Sequence, residues 1–158
     1  MTSQEQTKII CKNRKARFNF EIEETIEAGI ALQGSEVKSL RGGKANLSDS
    51  YGKFRDGEVF LVDAHISPYE QANRQNHDPV RDRKLLLHKR EIRKLIGKVT
   101  ERGYSLIPLQ LYFKQGKVKV LLGLGKGKKT FDKREAIKKK DQRRELERML
   151  KFRQRSSS

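Results

Sequence analysis

The sequence predicts a mainly β fold: a small antiparallel barrel with one main helix across it, followed by a basic C-terminal tail. Short runs of apolar-polar alternation are separated by turn residues, one stretch has helical periodicity, and the composition changes near residue 126. Of the 158 residues, only 34% are hydrophobic and 36% are charged. We therefore expect one core that occupies only part of the chain.

The first strands are predicted in the N-terminal third of the chain. Phe18, Phe20 and Ile22 alternate with polar residues, which is typical of a strand with one buried face. An acidic turn over 23–28 is predicted next. The segment 30–40 follows as one bent strand, because its alternation changes phase near a glycine as it would at a β-bulge.

Two hairpins are predicted from turn dipeptides. Asp56-Gly57 and Gln115-Gly116 each stand between two alternating runs, and such dipeptides suit the positive φ angles of a tight turn. The strands that they connect are 51–55 with 58–66, and 104–113 with 117–124. Pro108 cannot donate a backbone hydrogen bond, so we expect it at an edge or a bulge.

One helix is predicted between the two hairpins. Ile92, Leu95, Ile96 and Val99 recur at the spacing of one helical face, and Gly103 should end the helix. Its apolar stripe should pack against the sheet. Strands, then one helix, then more strands are typical of small barrels of the oligonucleotide-binding (OB) type.

The charge of the chain predicts a polyanionic partner. With 37 Lys and Arg against 20 Asp and Glu, the net charge is +17, which is tolerated best when a polyanion neutralises it. No apolar run approaches the roughly 20 residues of a membrane span, and the N-terminus lacks the apolar segment of a secretory signal. A single cysteine, Cys11, excludes an internal disulfide and a multi-cysteine zinc site. We expect a cytoplasmic nucleic-acid-binding protein with no membrane partner.

The basic tail carries more than half of this charge. Between residues 126 and 155, fourteen Lys and Arg stand against five Asp and Glu, a net charge of +9. Asp132 and Glu135 have the spacing of a helix start, but few apolar residues follow them. We expect the tail to be disordered alone and helical when bound. The predicted division is a flexible N-terminus at 1–12, the barrel at 13–125 and the tail at 126–158.

Neither catalysis nor a bound metal or cofactor is predicted. His65, His77 and His88 are the only histidines, and none has the short spacing of a zinc site. His77 lies in the long polar segment 67–84, which should be a solvated loop that is mobile unless RNA is bound. The glycine-rich stretch 123–129 lacks the Lys-Ser/Thr ending of a phosphate-binding P-loop, so an NTPase is not expected.

A series of motifs resembles one bacterial family. The motifs are Asn13–Arg17, Glu27–Arg41, Gly43–Asn46, Ser48–Tyr51, Arg83–Leu87, Lys126–Lys129 and Asp132–Arg134. In this order and at this spacing they resemble the SsrA-binding proteins, also called small protein B. The resemblance implies an OB-type barrel that binds the tRNA-like domain of transfer-messenger RNA (tmRNA) and delivers it to stalled ribosomes, a process called trans-translation.

The resemblance also implies partners for each part of the chain. The tail would enter the empty messenger channel and become helical, in contact with small-subunit rRNA at the decoding centre. Elongation factor Tu would join the delivery complex, and we expect the protein to be a monomer. The predicted tail contacts are Lys126, Lys128, Lys129, Phe131, Asp132, Lys133, Arg134 and Lys138.

The predicted tmRNA-binding residues come from the same motifs and from basic clusters. They are Asn13, Lys15, Arg17, Glu27, Lys38, Arg41, Lys44, Asn46, Lys84, Leu86 and His88. The carboxylate of Glu27 could accept hydrogen bonds from base edges or 2′-hydroxyls, which lysines cannot do. Family members often carry asparagine in place of His88, and some carry histidine in place of Phe131, whose ring can still stack on a base.

Two other function classes stay open at this point. A general ribosome-associated or single-strand RNA-binding module would bind RNA with little sequence preference and would not need Glu27. An RNA-processing enzyme would need an acid/base pair or a metal cluster, and none is visible in the sequence.

Overall fold

The computed structural model describes residues 7–69, 76–128 and 142–149. The chain divides into two compact units, Met1–Gly127 and Lys128–Ser158. In the described part of the first unit, seven antiparallel strands form one sheet and two short strands form another. Three helices accompany them there.

The described part of the first unit contains nine strands and three helices. They are β1 (Thr7–Lys12), α1 (Ala16–Asn19), β2 (Phe20–Ile30), α2 (Gly34–Arg41), β3 (Ala45–Asn46), β4 (Tyr51–Arg55), β5 (Glu58–Val62), β6 (His65–Ile66), β7 (Arg83–Leu86), α3 (Lys89–Arg102), β8 (Ser105–Lys114) and β9 (Lys117–Gly127). In the second unit, α4 covers residues 142–149.

The large sheet curls into the predicted small barrel. Its strand order is β1-β8-β9-β2-β7-β5-β4, while β3 pairs with β6. Strand β4, at one edge, packs back against β8, and a Cβ placed on Gly52 would lie only 2.6 Å from the Leu106 side chain. The mainly antiparallel, OB-type fold predicted from the sequence is thereby confirmed.

The core lies inside this curled sheet and is closed by α3. Leu61, Leu85 and Val120 are fully buried, and Ile92 and Leu95 of α3 pack into the same cluster. Burial of such side chains is the main favourable contribution to folding, roughly 1.5–3 kcal/mol for each. The predicted helix is confirmed, and it ends at a glycine in the left-handed region, Gly103.

Both predicted hairpins are confirmed. Asp56 and Gly57 have φ angles of 54° and 76°, and Gln115 and Gly116 have φ angles of 51° and 76°. Pro108 lies beside a register shift between β8 and β9, as expected for a residue without a backbone N–H. The strand predicted at 58–66 is interrupted after β5, because the backbone turns before β6 begins.

The segment predicted as an acidic turn and a bent strand folds differently. Residues 23–28 lie within the long strand β2, and residues from Gly34 onward form α2. The buried face of α2 includes Glu36, Ser39 and Leu40, which have helical spacing. Because two of these three are polar, the apolar pattern alone did not show the helix.

The N-terminal segment also differs from the prediction. Residues 7–12, expected to be flexible, form β1, which pairs with β8 along its length. Ile10 and Cys11 pack against the core, and this contact stabilises β1 in the sheet. At the other end of the unit, β9 stays paired with β2 as far as Gly127, two residues beyond the predicted end of the barrel.

The segment 67–84 was predicted to be a mobile, solvated loop, and its described residues contradict this. Residues 70–75 lie outside the described part. His77 is buried, with Nε2 2.9 Å from the Ile66 carbonyl oxygen and Nδ1 2.9 Å from the Ser35 hydroxyl. Arg83 is fully buried against Glu36. The sequence alone could not show that Arg83 is buried, because its partner, the Glu36 carboxylate, is distant in the sequence.

Candidate RNA-binding surface

An open groove of about 440 Å³ brings together four of the predicted residues. It runs between β2, β7 and the start of α3, and is called here the β2–β7 groove. Glu27, Lys84, Leu86 and His88 all line it. Antiparallel pairing of β2 with β7 joins these residues, although about sixty positions separate Glu27 from the others in the sequence.

Side chains along β7 point alternately into the core and toward solvent. Arg83 and Leu85 are buried, while Lys84 and Leu86 are exposed, as expected for a strand with one buried face. Leu86 is 52% exposed and lies beside Gly29 of β2. A Cβ on Gly29 would approach the Leu86 Cβ to 3.1 Å, so the glycine makes room for this exposed leucine.

The carboxylate of Glu27 is held by hydrogen bonds from β8. The Tyr112 hydroxyl donates to Oε2, and Lys114 Nζ lies 3.3 Å from Oε1. The hydrogen bond from Tyr112, followed by those from Lys114 and the charge of Lys119, holds the pKa of Glu27 below its usual value. Glu27 is therefore ionised at neutral pH and acts only as a hydrogen-bond acceptor.

Lys84 and His88 line the groove from β7 and the start of α3. Lys84 Nζ lies 3.5 Å from Glu58 Oε2, with both side chains well exposed. His88 precedes α3, and its backbone N–H donates to Glu91 Oε1 at 3.1 Å, so the Glu91 side chain satisfies one of the free donors at the helix start. The His88 ring itself is exposed to the groove.

Asn13 lies in a second, smaller groove of about 300 Å³. Its side chain is buried, and Nδ2 donates to the Pro108 carbonyl oxygen at 2.9 Å. Its Oδ1 atom has no hydrogen-bond partner among the described residues. Arg17 of α1 lines the same groove, and Lys15, exposed, precedes α1.

The remaining predicted barrel residues lie on other elements. Lys38 and Arg41 are exposed on α2, Lys44 is exposed just after it, and Asn46 lies on β3. None of them is among the residues described as lining the two grooves. The Asn46 Oδ1 atom accepts a hydrogen bond from the Ser48 backbone, a local turn contact.

Comparison with known proteins identifies the family of this chain. A family model described as "SmpB protein" matches residues 10–152. The chain belongs to the SmpB family. The family resemblance inferred from the sequence motifs is thus confirmed.

Curated relatives of the SmpB family cover nearly the whole chain. The SsrA-binding protein of Bacillus subtilis (strain 168) is 61% identical over 141 residues, which are 89% of this chain and 90% of that protein. The SsrA-binding protein of Geobacter metallireducens is 61% identical over 149 residues, 94% of this chain and 97% of that protein.

A solved SmpB structure supports the same assignment. It is described as "tmRNA-SmpB: a journey to the center of the bacterial ribosome". It superposes with a TM-score of 0.66 at 53% sequence identity, and the match covers 80% of this chain and 93% of that chain.

The predicted tail contacts of this SmpB-family chain fall mostly outside the described residues. Of these positions, Lys126 and Lys128 are described, and Lys126 Nζ lies 5.1 Å from the centre of the Tyr104 ring. The positions outside are Lys129, Phe131, Asp132, Lys133, Arg134 and Lys138. In α4, the apolar side chains of Leu146 and Met149 are 60% and 64% exposed.

Sequence reasoning missed the groups that support Glu27. These groups are Tyr112 and Lys114 on β8 and Lys119 on β9, which follow Glu27 by about 85 to 92 positions in the sequence. Only strand pairing brings them near the carboxylate. Within the described ranges, no group of three His, Cys, Asp or Glu side chains could hold a metal ion. No helix in those ranges is long and apolar enough to cross a membrane.

Proposed function

We propose that this protein binds the tRNA-like domain of tmRNA and delivers the RNA to stalled ribosomes for trans-translation. The observation that carries the proposal is the β2–β7 groove, in which a carboxylate, a lysine, an exposed leucine and a histidine converge in a member of the SmpB family. Relatives at about 60% identity are named for binding SsrA, and the solved relative is a tmRNA-SmpB structure. Ribosomes work in the cytoplasm, so we expect the protein to act there.

The chemistry of the groove suits a folded RNA. Lys84 can neutralise phosphate, the exposed Leu86 offers an apolar surface for a ribose or base, and Glu27 can accept hydrogen bonds from 2′-hydroxyls or base N–H groups. Phosphate contacts contribute affinity without identity. The selectivity of the site therefore depends on Glu27.

The wider interface that we propose extends beyond the groove. It comprises Asn13, Lys15, Arg17, Glu27, Lys38, Arg41, Lys44, Asn46, Lys84, Leu86 and His88. In this interface Arg17 lines the second groove together with Asn13, and its guanidinium can contact phosphate. No enzymatic step is part of this function.

For the tail we propose contact with small-subunit rRNA at the decoding centre and along the messenger channel. The contacts are Lys126, Lys128, Lys129, Phe131, Asp132, Lys133, Arg134 and Lys138. Its charge density supports the proposal, because rRNA phosphates can neutralise it. Elongation factor Tu is the further partner that we propose for the delivery complex.

The experiment compares affinities for the tRNA-like domain and for an unrelated hairpin of equal length, at one salt concentration. The wild type should prefer the tRNA-like domain, and Glu27→Gln should weaken that binding by about tenfold or more, since hydrogen bonds to charged groups contribute about 1.5–3 kcal/mol. Glu23→Gln is the matched control, because Glu23 lies on the same strand and also accepts a hydrogen bond from a tyrosine, Tyr104. It should bind as the wild type does.

Equal affinity of the wild type for the two RNAs would contradict the proposal. It would favour the alternative of a sequence-tolerant RNA-binding module, in which the basic surface alone provides affinity. Such a module would also tolerate Glu27→Gln as well as it tolerates Glu23→Gln.

A further inference from the structure

Within the described part of the chain, the hydrogen bonds that the Glu27 carboxylate accepts come from one strand, β8. Tyr112 donates to Oε2, and Lys114 Nζ lies 3.3 Å from Oε1 and 3.4 Å from Oε2. Both donors belong to β8, which lies on the opposite side of β2 from β7 in the sheet. Tyr112 is only 4% exposed, so its hydroxyl is a fixed donor, whereas the Glu27 side chain is 37% exposed.

Strand register explains how β8 reaches a residue on β2. Gly29 of β2 is opposite Lys119 of β9, which is opposite Tyr112 of β8. Directly opposed residues share a face of the sheet, and so do residues two apart on one strand. Glu27 and Tyr112 therefore project from the same face, and the tyrosine spans β9 to meet the carboxylate.

On the groove side, Lys84 and the His88 backbone have other partners. Lys84 pairs with Glu58, and the backbone of His88 is bound by Glu91. A carboxylate has about four acceptor positions, and Tyr112 and Lys114 do not fill all of them. Glu27 lines the groove and its side chain is 37% exposed, so an RNA donor can reach the carboxylate there.

We propose that Tyr112 is a positioning residue for RNA recognition, whose hydroxyl holds the Glu27 carboxylate with its free acceptor positions turned to the β2–β7 groove. This inference rests on the proposed function. A free glutamate must lose rotamer freedom when it binds, and a glutamate already fixed by Tyr112 and Lys114 loses less. The ligand group is a hydrogen-bond donor of RNA, a 2′-hydroxyl or a base N–H.

The test is a double-mutant cycle on full-length protein with the isolated tRNA-like domain as ligand. Tyr112→Phe removes only the hydroxyl and should lower affinity roughly three- to tenfold, the cost of immobilising one side chain. In the Glu27→Gln background the same change should alter affinity less than twofold, because the carboxylate that it positions is gone. Tyr104→Phe, which breaks the similar hydrogen bond to Glu23, should leave affinity unchanged.

A spectroscopic readout separates positioning from a general structural effect. In Tyr112→Phe, the NMR titration of the Glu27 carboxyl carbon should move to higher pH, because the hydrogen bond is the largest influence that lowers the pKa. Tyr104→Phe should not move it. The charged and titratable groups that surround Glu27 are the same in both variants: Lys114, Lys119, Glu58, Lys84, His88, Lys89 and Glu91.

The outcomes distinguish this inference from the function on which it rests. If the wild type bound the tRNA-like domain no better than an unrelated hairpin, both would be overturned. If the wild type discriminated but Tyr112→Phe bound equally well, or lost the same factor with and without Glu27, only the role of Tyr112 would be overturned.

Discussion

At the scale of single residues, a buried cluster of charges constrains the fold. Arg83 donates from Nε to Glu36, both are fully buried, and Arg81 Nε lies 3.2 Å from each Glu36 oxygen. Burial alone would raise the pKa of Glu36, but hydrogen bonds from Arg81, the Gln33 backbone and Arg83 outweigh it and lower the pKa. The cluster therefore stays ionised and ties α2 to β7.

Glu36→Gln should lower the free energy of unfolding by about 3–5 kcal/mol, because it leaves the charge of Arg83 buried without its partner. Urea unfolding at neutral pH measures the change. The matched control is Asp82→Asn, which breaks the exposed Arg55–Asp82 pair, 3.2 Å long, and should cost less than about 1 kcal/mol. Equal effects of the two variants would show that the buried cluster contributes no more than a surface pair.

The lowered pKa of Glu36 also sets a direction for pH dependence. A carboxyl whose folded pKa lies below its unfolded value stabilises fully above the unfolded value, about 4.3, and this contribution is lost as pH falls through the folded pKa. The stability difference between wild type and Glu36→Gln should hence be constant from about pH 7 to about pH 5 and shrink in stronger acid. Urea unfolding across this range measures it; a difference that grew in acid would have the wrong sign.

At the scale of elements, the sequence predicted those helices and turns that are determined by residues close to them in the chain. The turn at Asp56 and the helix α3 follow from neighbouring residues, and both were predicted. Helix α2 was missed because its buried face contains Glu36, whose arginine partners are more than forty positions away. The same holds for the site: the motifs pointed to Glu27, but the support from Tyr112 is visible only once the strands pair.

Strand β9 provides a test of close packing between elements. A Cβ on Gly125 would lie 2.0 Å from the Glu21 backbone oxygen of β2, whereas one on Gly127 would find its nearest neighbour, a Phe20 ring atom, at 3.9 Å. Gly125→Ala should lower the free energy of unfolding by about 3 kcal/mol, since backbone must move. Gly127→Ala, two residues along the same strand, should change it by less than about 1 kcal/mol. Thermal or urea unfolding of the two variants measures the difference. Equal stabilities would contradict the close approach of β2 and β9.

At the scale of the whole molecule, charge is distributed unevenly between the two units. Residues 1–127 contain 24 Lys and Arg and 15 Asp and Glu, a net charge of +9, while 128–158 contain 13 and 5, a net charge of +8. The second unit therefore holds nearly half of the charge in 31 residues. A charge of this density predicts a polyanionic partner for the second unit.

Removal of residues 128–158 should separate the two proposed roles. The cut falls after Gly127 because Lys126 and Gly127 are still paired with β2, so a cut at 126 would also remove part of the sheet. The truncated protein should bind the tRNA-like domain within about threefold of the full-length affinity, since the β2–β7 groove is complete without the tail, and should fail in a reconstituted assay of tagging on stalled ribosomes. Full-length Glu27→Gln should show the converse loss, weak RNA binding with the tail intact. A large loss of affinity in the truncated protein would mean that tail lysines contribute to tmRNA binding and that the two units do not divide the work.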